Sequence, residues 1–359
     1  MSKYYFLKIK EITHETPDAV TLHFWHPLSE VVKYQPGQFL TLLLPQNGSK
    51  VRRSYSMSSS PYTDVSLAIT VKLLPGGFAS EYLTKEVKVD DVLEVMEPMG
   101  HFVPKLDAEQ KRTVVLIGAG SGITPLMSIA KSVLMVEQES TVYLLYGNRN
   151  EESIIFKNHL DALQEKYGER FQLIYTLSQP SAAWIGEMGR LNKSQILKIM
   201  EGLPKPDPAA TDYYLCGPED MMEEAKRALD ILDVPAERIH RESFLTATTA
   251  KAHGDVTEAP EDVDDDSPKG HEVTVLYEGS EYKFRVEPHQ TVLEAALDLD
   301  IDLPYSCQAG MCTACMGRCV SGKVHLDEED ALSKSELDAG FILTCVAHPM
   351  SDDVVLEVE

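Results

Sequence analysis

Four cysteines near the C-terminal end constrain this chain more than any other feature. Cys307, Cys312 and Cys315 sit in YSCQAGMCTACMGRC, and Cys345 follows in ILTCVAHP. The spacing C-x4-C-x2-C with a fourth, distant cysteine is one that holds a [2Fe–2S] cluster. Two irons need four thiolates. One tight loop supplies three, and the fold must bring the fourth to them. Ala309, Gly310, Thr313, Ala314 and Gly317 keep that loop small, so main-chain N–H groups can point at the cluster sulfurs and tune its potential. A structural zinc site is the plainer reading, but zinc knuckles come as paired C-x2-C and no second pair exists. A disulfide framework fits less well, because no secretory leader is visible. Cys216 and Cys319 remain, and Cys319 is expected to be a buried thiol rather than a fifth ligand.

A length of 359 residues predicts two or three domains, and 43% hydrophobic content supports ordinary cores. No run of eighteen apolar residues occurs, and MSKYYFLKIK carries no apolar leader. A cytoplasmic protein without a membrane span is expected. The net charge of −24 is uneven: residues 271–359 hold 18 acids against 5 bases, and 246–270 hold 7 against 2. That sign argues against a nucleic-acid partner. It has two readings: solubility, or steering of the C-terminal module towards a basic docking patch on an acceptor.

The segment 246–270 is acidic and poor in large apolar residues, which predicts a flexible linker. Residues 1–105 show short alternating runs such as YYFLKIKEI, AVTLHFWH and FLTLLLP, separated by Pro36-Gly37, Asn47-Gly48 and Pro75-Gly76-Gly77. Such strands and turns predict an antiparallel barrel. From 106 to 245, apolar strands alternate with helical patterns, which predicts an α/β domain on a parallel sheet. Residues 271–359 must then form a separate module around the cysteines.

The run VLIGAGSGITP puts Gly118, Gly120 and Gly122 between a strand and a helix. Glycines there let the backbone approach a pyrophosphate at the helix N-terminus. The pattern departs from G-x-G-x-x-G, since the third glycine comes one residue early. The next strand ends in YGNRN, offering Asn148 and Arg149 where an acid would favour NAD. Arginine there favours a 2′-phosphate and hence NADPH, unless Glu151 or Glu152 simply pairs with it. Arg53, Ser54, Tyr55 and Ser56 close a barrel strand with a cation, an aromatic hydroxyl and small donors, a set that suits a flavin or a plain polar strand end. Gly77, Phe78, Ala79 and Ser80 form either a second phosphate site or an ordinary turn with an N-cap. Cys216-Gly217-Pro218 ends a strand of the parallel sheet, where a thiol either faces the ligand crevice or fills the sheet. The eleven histidines show no metal-pair spacing.

Taken together, these runs resemble the ferredoxin–NADP reductase superfamily. Arg53-Ser54-Tyr55-Ser56 is similar to its R-x-Y-S flavin motif, GAGSGITP (118–125) to its nucleotide motif, and CGPEDM (216–221) to C-G-P-x-x-M. The C-terminal segment looks like a plant-type ferredoxin, which implies a β-grasp fold. The order of the three resembles oxygenase reductase components, and YGNR, SIIFKNHL and RIHRESF look like the phenylacetyl-CoA epoxidase reductase group. The resemblance implies roles. Arg53 would bind the flavin pyrophosphate, Tyr55 the ribityl chain or ring, and Ser56 would lie near N5. Val71 and Lys72 would line the adenine side, and Gly77 to Ser80 the diphosphate. Thr124 would sit between nicotinamide and flavin, Cys216 near nicotinamide C4, and Phe244 by the flavin ring. The expected activity is hydride transfer from NADPH or NADH to FAD, then single electrons through the cluster to a separate oxygenase. FMN is the alternative flavin, since dioxygenase reductases with this order are similar to FMN users. A dioxygenase, hydroxylase or desaturase reductase is the neighbouring function. A zinc-holding nucleotide-binding scaffold without turnover is the alternative from another class.

Overall fold

In the computed structural model the described residues are 3–26, 31–46, 49–204, 210–244, 270–288, 290–305, 308, 310, 313–327, 332 and 334–358. The expected linker, apart from Gly270, and the expected ligands Cys307 and Cys312 lie outside them. The chain divides into two compact units, Tyr4–Phe244 and a C-terminal one from Leu245 to Glu359 that also takes in Met1–Lys3.

The first unit opens with six antiparallel strands: β1 (Tyr4–Thr16), β2 (Ala19–Phe24), β3 (Phe39–Gln46), β4 (Ser49–Ser56), β5 (Leu67–Lys72) and β6 (Val92–Met96). Their order is β4-β3-β6-β1-β2-β5. Strand alternation turns Leu7 and Ile9 inward and Phe6 and Lys8 outward. The outer strands meet where Met57 bridges Ile69, which closes the sheet around a core of Leu22, Leu40, Leu42, Ile69 and Val71. A four-residue helix, α1 (Phe78–Glu81), follows β5.

A parallel sheet completes this unit. Its strands are β7 (Thr113–Ala119), β8 (Thr141–Asn148), β9 (Phe171–Leu177), β10 (Glu187–Met188), β11 (Thr211–Cys216) and β12 (Ile239–Glu242). They lie in the order β10-β9-β8-β7-β11-β12. Helices α2 (Ile123–Val136) and α3 (Lys157–Tyr167) cover one face, and α4 (Lys193–Gly202) and α5 (Glu219–Ile231) the other. The chain winds outward from β7 to one side and then returns to β11 on the other. The crevice at the carboxyl ends of β7 and β11 is therefore the switch point where such sheets bind ligands. Pro125 stands in the first turn of α2, where a missing N–H costs nothing. The rest of that helix is buried almost all round, because it is wedged between the sheet and the barrel.

The C-terminal unit contains β13 (His271–Tyr277), β14 (Ser280–Val286), α6 (Val292–Asp298), β15 (Met316–Ser321), β16 (Val324–Leu326), α7 (Lys334–Asp338), β17 (Phe341–Leu343), β18 (Ala347–Pro349) and β19 (Val354–Val358). The main sheet runs β14-β13-β19-β15-β17, with β13 and β19 parallel, and β16 pairs β18 separately. Helix α6 starts from a capping box in which Thr291 and Glu294 exchange hydrogen bonds of 3.1 Å. It packs Val292, Leu293 and Ala296 on the sheet. A hairpin, a helix and a returning central strand make the β-grasp arrangement. The fold class expected from the sequence is the one observed.

Candidate functional site

The glycine turn after β7 is built by contacts from three strands. Gly118 lies opposite Cys216 on β11 and opposite Tyr146 on β8. Gly120 adopts φ +56°, and the Tyr146 hydroxyl donates to its carbonyl at 2.9 Å. Burial pushes the Tyr146 phenol up, so it remains a neutral donor. Gly122 leads into α2 with its Cα turned at β11. A Cβ there would stand 2.0 Å from the Cys216 carbonyl oxygen. Thr124 is buried and donates to the Ser121 carbonyl at 3.0 Å. The 118–124 run and Cys216-Gly217 therefore pack against each other, main chain on main chain. The result is a small-residue cradle at a helix N-terminus, which fits a diphosphate.

Cys216 itself is fully buried. Burial first, and then the nearby Glu242 carboxylate, push its thiol well above the usual range. It is a neutral, compact group rather than a nucleophile. Pro218 is the N-cap of α5. Asn148 ends β8, and its enclosed amide nitrogen and oxygen have no hydrogen-bond partner among the described residues. An orphaned amide at a strand's carboxyl end fits a polar ligand there. Arg149 beside it is exposed. The alternative partner Glu151 is engaged elsewhere: it accepts from the Ser181 hydroxyl at 2.6 Å and from the Ser181 N–H, and those bonds lower its pKa.

On the barrel, β4 pairs with β3 so that Phe39 faces Ser56 and Leu40 faces Tyr55. Ser56 is buried at the strand end. Arg53 donates to the Arg52 carbonyl at 2.7 Å, and Ser54 shares a hydrogen bond with Thr41 at 3.2 Å. Burial, partly offset by Arg53, pushes the Tyr55 phenol up to about 12. Val71 lies wholly in the barrel core, so of its pair only Lys72 presents a polar side chain, 3.6 Å from Asp18. The Ser80 hydroxyl is held by its own turn: it accepts from the Leu74 N–H at 3.0 Å and lies within 3.1 Å of the Leu74 and Gly77 carbonyls. Gly77 precedes α1 without a side-chain cap, Phe78 is partly exposed and Ala79 is buried. Phe244, 41% exposed, follows β12 and ends the described part of this unit.

In the C-terminal unit, Cys315 and Cys345 are buried, with their sulfurs 3.3 Å apart. The Gly310 N–H points at the Cys345 sulfur at 3.4 Å. Gln308 and Gly310 both have positive φ. Two converging buried thiols with an amide aimed at one of them fit a cluster-binding loop. Cys319 stands on β15, half-buried rather than buried as expected, because it lies at the edge of the core, and its thiol donates to the Ser321 carbonyl at 3.2 Å.

Tyr146 and Glu242 had no signal in the sequence. Each acts through a neighbouring strand, and only the pairing of β8 with β7 and of β12 with β11 brings them to the crevice.

Three family models match in sequence. An oxidoreductase FAD-binding domain matches residues 6–103, an oxidoreductase NAD-binding domain 116–227, and a 2Fe-2S iron-sulfur cluster binding domain 275–350. The chain is 34% identical over 362 residues to a component of the 1,2-phenylacetyl-CoA epoxidase of Escherichia coli K12, covering 100% of this chain and 99% of that one. It is 37% identical over 359 residues to the ferredoxin reductase component of 3-ketosteroid-9-alpha-monooxygenase from Mycolicibacterium smegmatis, covering 97% and 95%. Phthalate dioxygenase reductase shares the fold at a TM-score of 0.59 and 22% identity, covering 99% of this chain and 98% of that one.

Proposed function

This chain belongs to the oxygenase reductase components of the ferredoxin–NADP reductase superfamily, and from that premise we propose residue roles, a nucleotide preference and an acceptor. It is an NAD(P)H-dependent oxidoreductase with FAD-binding, NAD-binding and [2Fe–2S] domains, and it passes electrons to a partner oxygenase. No helix among the described residues is long and apolar enough to cross a membrane.

When bound, the flavin accepts a two-electron hydride and the cluster carries single electrons; the protein supplies position and electrostatics. In our reading, the 118–122 turn and the N-terminus of α2 hold the nucleotide diphosphate, and Tyr146 braces the turn from behind. Asn148 and Arg149 contact the adenosine end. The exposed guanidinium of Arg149, with Glu151 committed to Ser181, favours NADPH. The neutral Cys216 thiol and Thr124 border the nicotinamide without adding charge where hydride must travel. Arg53 binds the flavin diphosphate, Tyr55 contacts the ribityl chain or ring, Ser56 donates near the reacting edge, and Phe244 covers the ring. Cys307, Cys312, Cys315 and Cys345 ligate the cluster. The domain limits are 1–105, 106–245 and 271–359, with 246–270 as an acidic linker.

The acceptor we propose is an epoxidase acting on a phenylacetyl-CoA-type thioester. The observation that carries it is the end-to-end match to the Escherichia coli epoxidase component. A 3-ketosteroid monooxygenase is the second reading, favoured by the 37% identity to the Mycolicibacterium smegmatis component. The excess of acids in 271–359 suits a basic docking patch on either. The test is reconstitution with both oxygenases at low and high salt. Turnover with the epoxidase that weakens as salt rises supports the proposal. Turnover with the steroid enzyme alone, or transfer indifferent to salt, refutes the acceptor or the docking patch respectively.

A further inference from the structure

Helix α2 touches the barrel through hydroxyl groups at a place where apolar packing would be the default. Ser128 and Ser132 lie one turn apart on its barrel side and are fully buried. They meet Ser59 and Ser60, also buried, which follow the Arg53–Ser56 run by only a few residues. The proton order can be read off the geometry. The Ser132 hydroxyl donates to the Ser128 carbonyl at 2.7 Å, so it has no second hydrogen to give. Ser60, 2.7 Å away, must therefore donate to Ser132. The Ser128 hydroxyl donates in turn to the Ser59 carbonyl at 2.6 Å. Two consecutive barrel residues are thus held by two side chains on successive turns of one helix.

The barrel side of this clasp is itself anchored. The Ala68 N–H donates to the Ser59 hydroxyl at 2.9 Å, and Tyr34 shares a 2.7 Å hydrogen bond with it. Asp64 accepts the Ser60 N–H at 2.7 Å and pairs with Lys131 of α2. A fully satisfied buried hydroxyl network has one register, because any shift leaves buried donors and acceptors unpaired. Thr124 lies one turn before Ser128 on the same side of the helix. The register set at Ser128 and Ser132 is therefore transmitted along a rigid helix of about 1.5 Å per residue to the nucleotide cradle.

We propose that Ser60, Ser128 and Ser132 are positioning residues for hydride transfer, setting the nucleotide cradle against the Ser56 end of β4. The proposal rests on the functional reading above. Replacing both Ser60 and Ser132 with alanine removes the Ser60–Ser132 half of the clasp and leaves neither of those hydroxyls orphaned, which favours a folded variant. In the full chain, the limiting rate of flavin reduction at saturating NAD(P)H should fall roughly 10- to 100-fold, with the Kd for nucleotide within about twofold. Ser128→Ala should act in the same direction. A purely structural role would lower the apparent Tm and leave the rate of the folded, flavin-loaded fraction unchanged.

A second readout needs no turnover. The two tryptophans are Trp25 in the barrel and Trp184 in the parallel-sheet lobe. Heating should give one tryptophan transition in the wild type and two in the double variant, whose lobes no longer melt together. A limiting rate within about twofold of wild type, or a single shared transition in the double variant, overturns the proposal. If NAD(P)H does not reduce the wild type at all, the functional reading fails instead, and the melting experiment still decides whether the clasp couples the lobes.

Discussion

Adding one methyl group at Gly122 should damage catalysis far more than adding one at Gly120, although both stand in the same turn. Gly122 has φ −60° and ψ −12°, a conformation any L-residue adopts. The whole cost of Gly122→Ala is therefore steric. The new Cβ would meet the Cys216 carbonyl oxygen at 2.0 Å and the Gly217 nitrogen at 2.7 Å, where real Cβ contacts essentially never fall below 3.0 Å. Both obstacles are main chain and cannot rotate away. The start of α2 and the end of β11 must then part by about 1 Å, an overpacking cost of about 1–3 kcal/mol. Gly120→Ala has no atom within 4 Å of its Cβ but sits at φ +56°. It should cost a similar ~1–2 kcal/mol through backbone strain alone, with no displacement.

The two variants should thus lose comparable stability, roughly 2–12 °C of apparent Tm for a unit of this size. They should separate in rate. A displacement of about 1 Å at the cradle predicts a loss on the order of 100-fold in limiting flavin reduction for Gly122→Ala, and only a few-fold for Gly120→Ala. Anaerobic stopped-flow reduction with saturating NAD(P)H, beside thermal melts of the same samples, measures both. Gly122→Ala reducing within about threefold of wild type, or Gly120→Ala losing as much as Gly122→Ala, would refute the steric reasoning.

Other consequences are equally direct. Asp212 is buried, which alone would raise its pKa, but His240 at 4.0 Å and hydrogen bonds from Arg238 at 2.9 Å and Arg112 at 2.6 Å outweigh this and hold the carboxyl well below its usual range. Its contribution is therefore present above the ordinary carboxyl pKa of about 3.9 and is lost as pH falls below that value towards the depressed one. Asp212→Asn should cost on the order of 3 kcal/mol at neutral pH and flatten the acid limb of a Tm–pH curve; an unchanged limb counts against the assignment. Arg149→Ala should raise KM for NADPH about 10- to 100-fold more than KM for NADH, and an unchanged ratio of the two removes the NADPH argument. Cys345→Ser should lose iron and acid-labile sulfide while Cys319→Ser keeps both, and the reverse pattern overturns the ligand set.

How much of this protein can be read from its sequence depends on the range of the interaction. Alternation in β1 and the glycine-ended apolar run of β7 are local patterns, and they declared a barrel and a parallel sheet. The cysteine spacing is likewise a local property of one loop, and it named the cluster. The order of three domains followed from the order of those patterns. Tertiary structure decided what lies across the fold. Gly122 and Cys216 are far apart in sequence, and only the parallel pairing of β7 with β11 makes one the steric limit of the other. Tyr146 stands in the sequence only as the start of YGNRN, and the register of its strand is what places its hydroxyl on Gly120. Ser80 reads locally as one more small hydroxyl, and only the folded turn sets it within 3.1 Å of the Leu74 and Gly77 carbonyls. Ser59, Ser60, Ser128 and Ser132 were ordinary polar residues in the sequence. Their meaning comes from two lobes packing together, a choice among long-range contacts that local propensity does not encode.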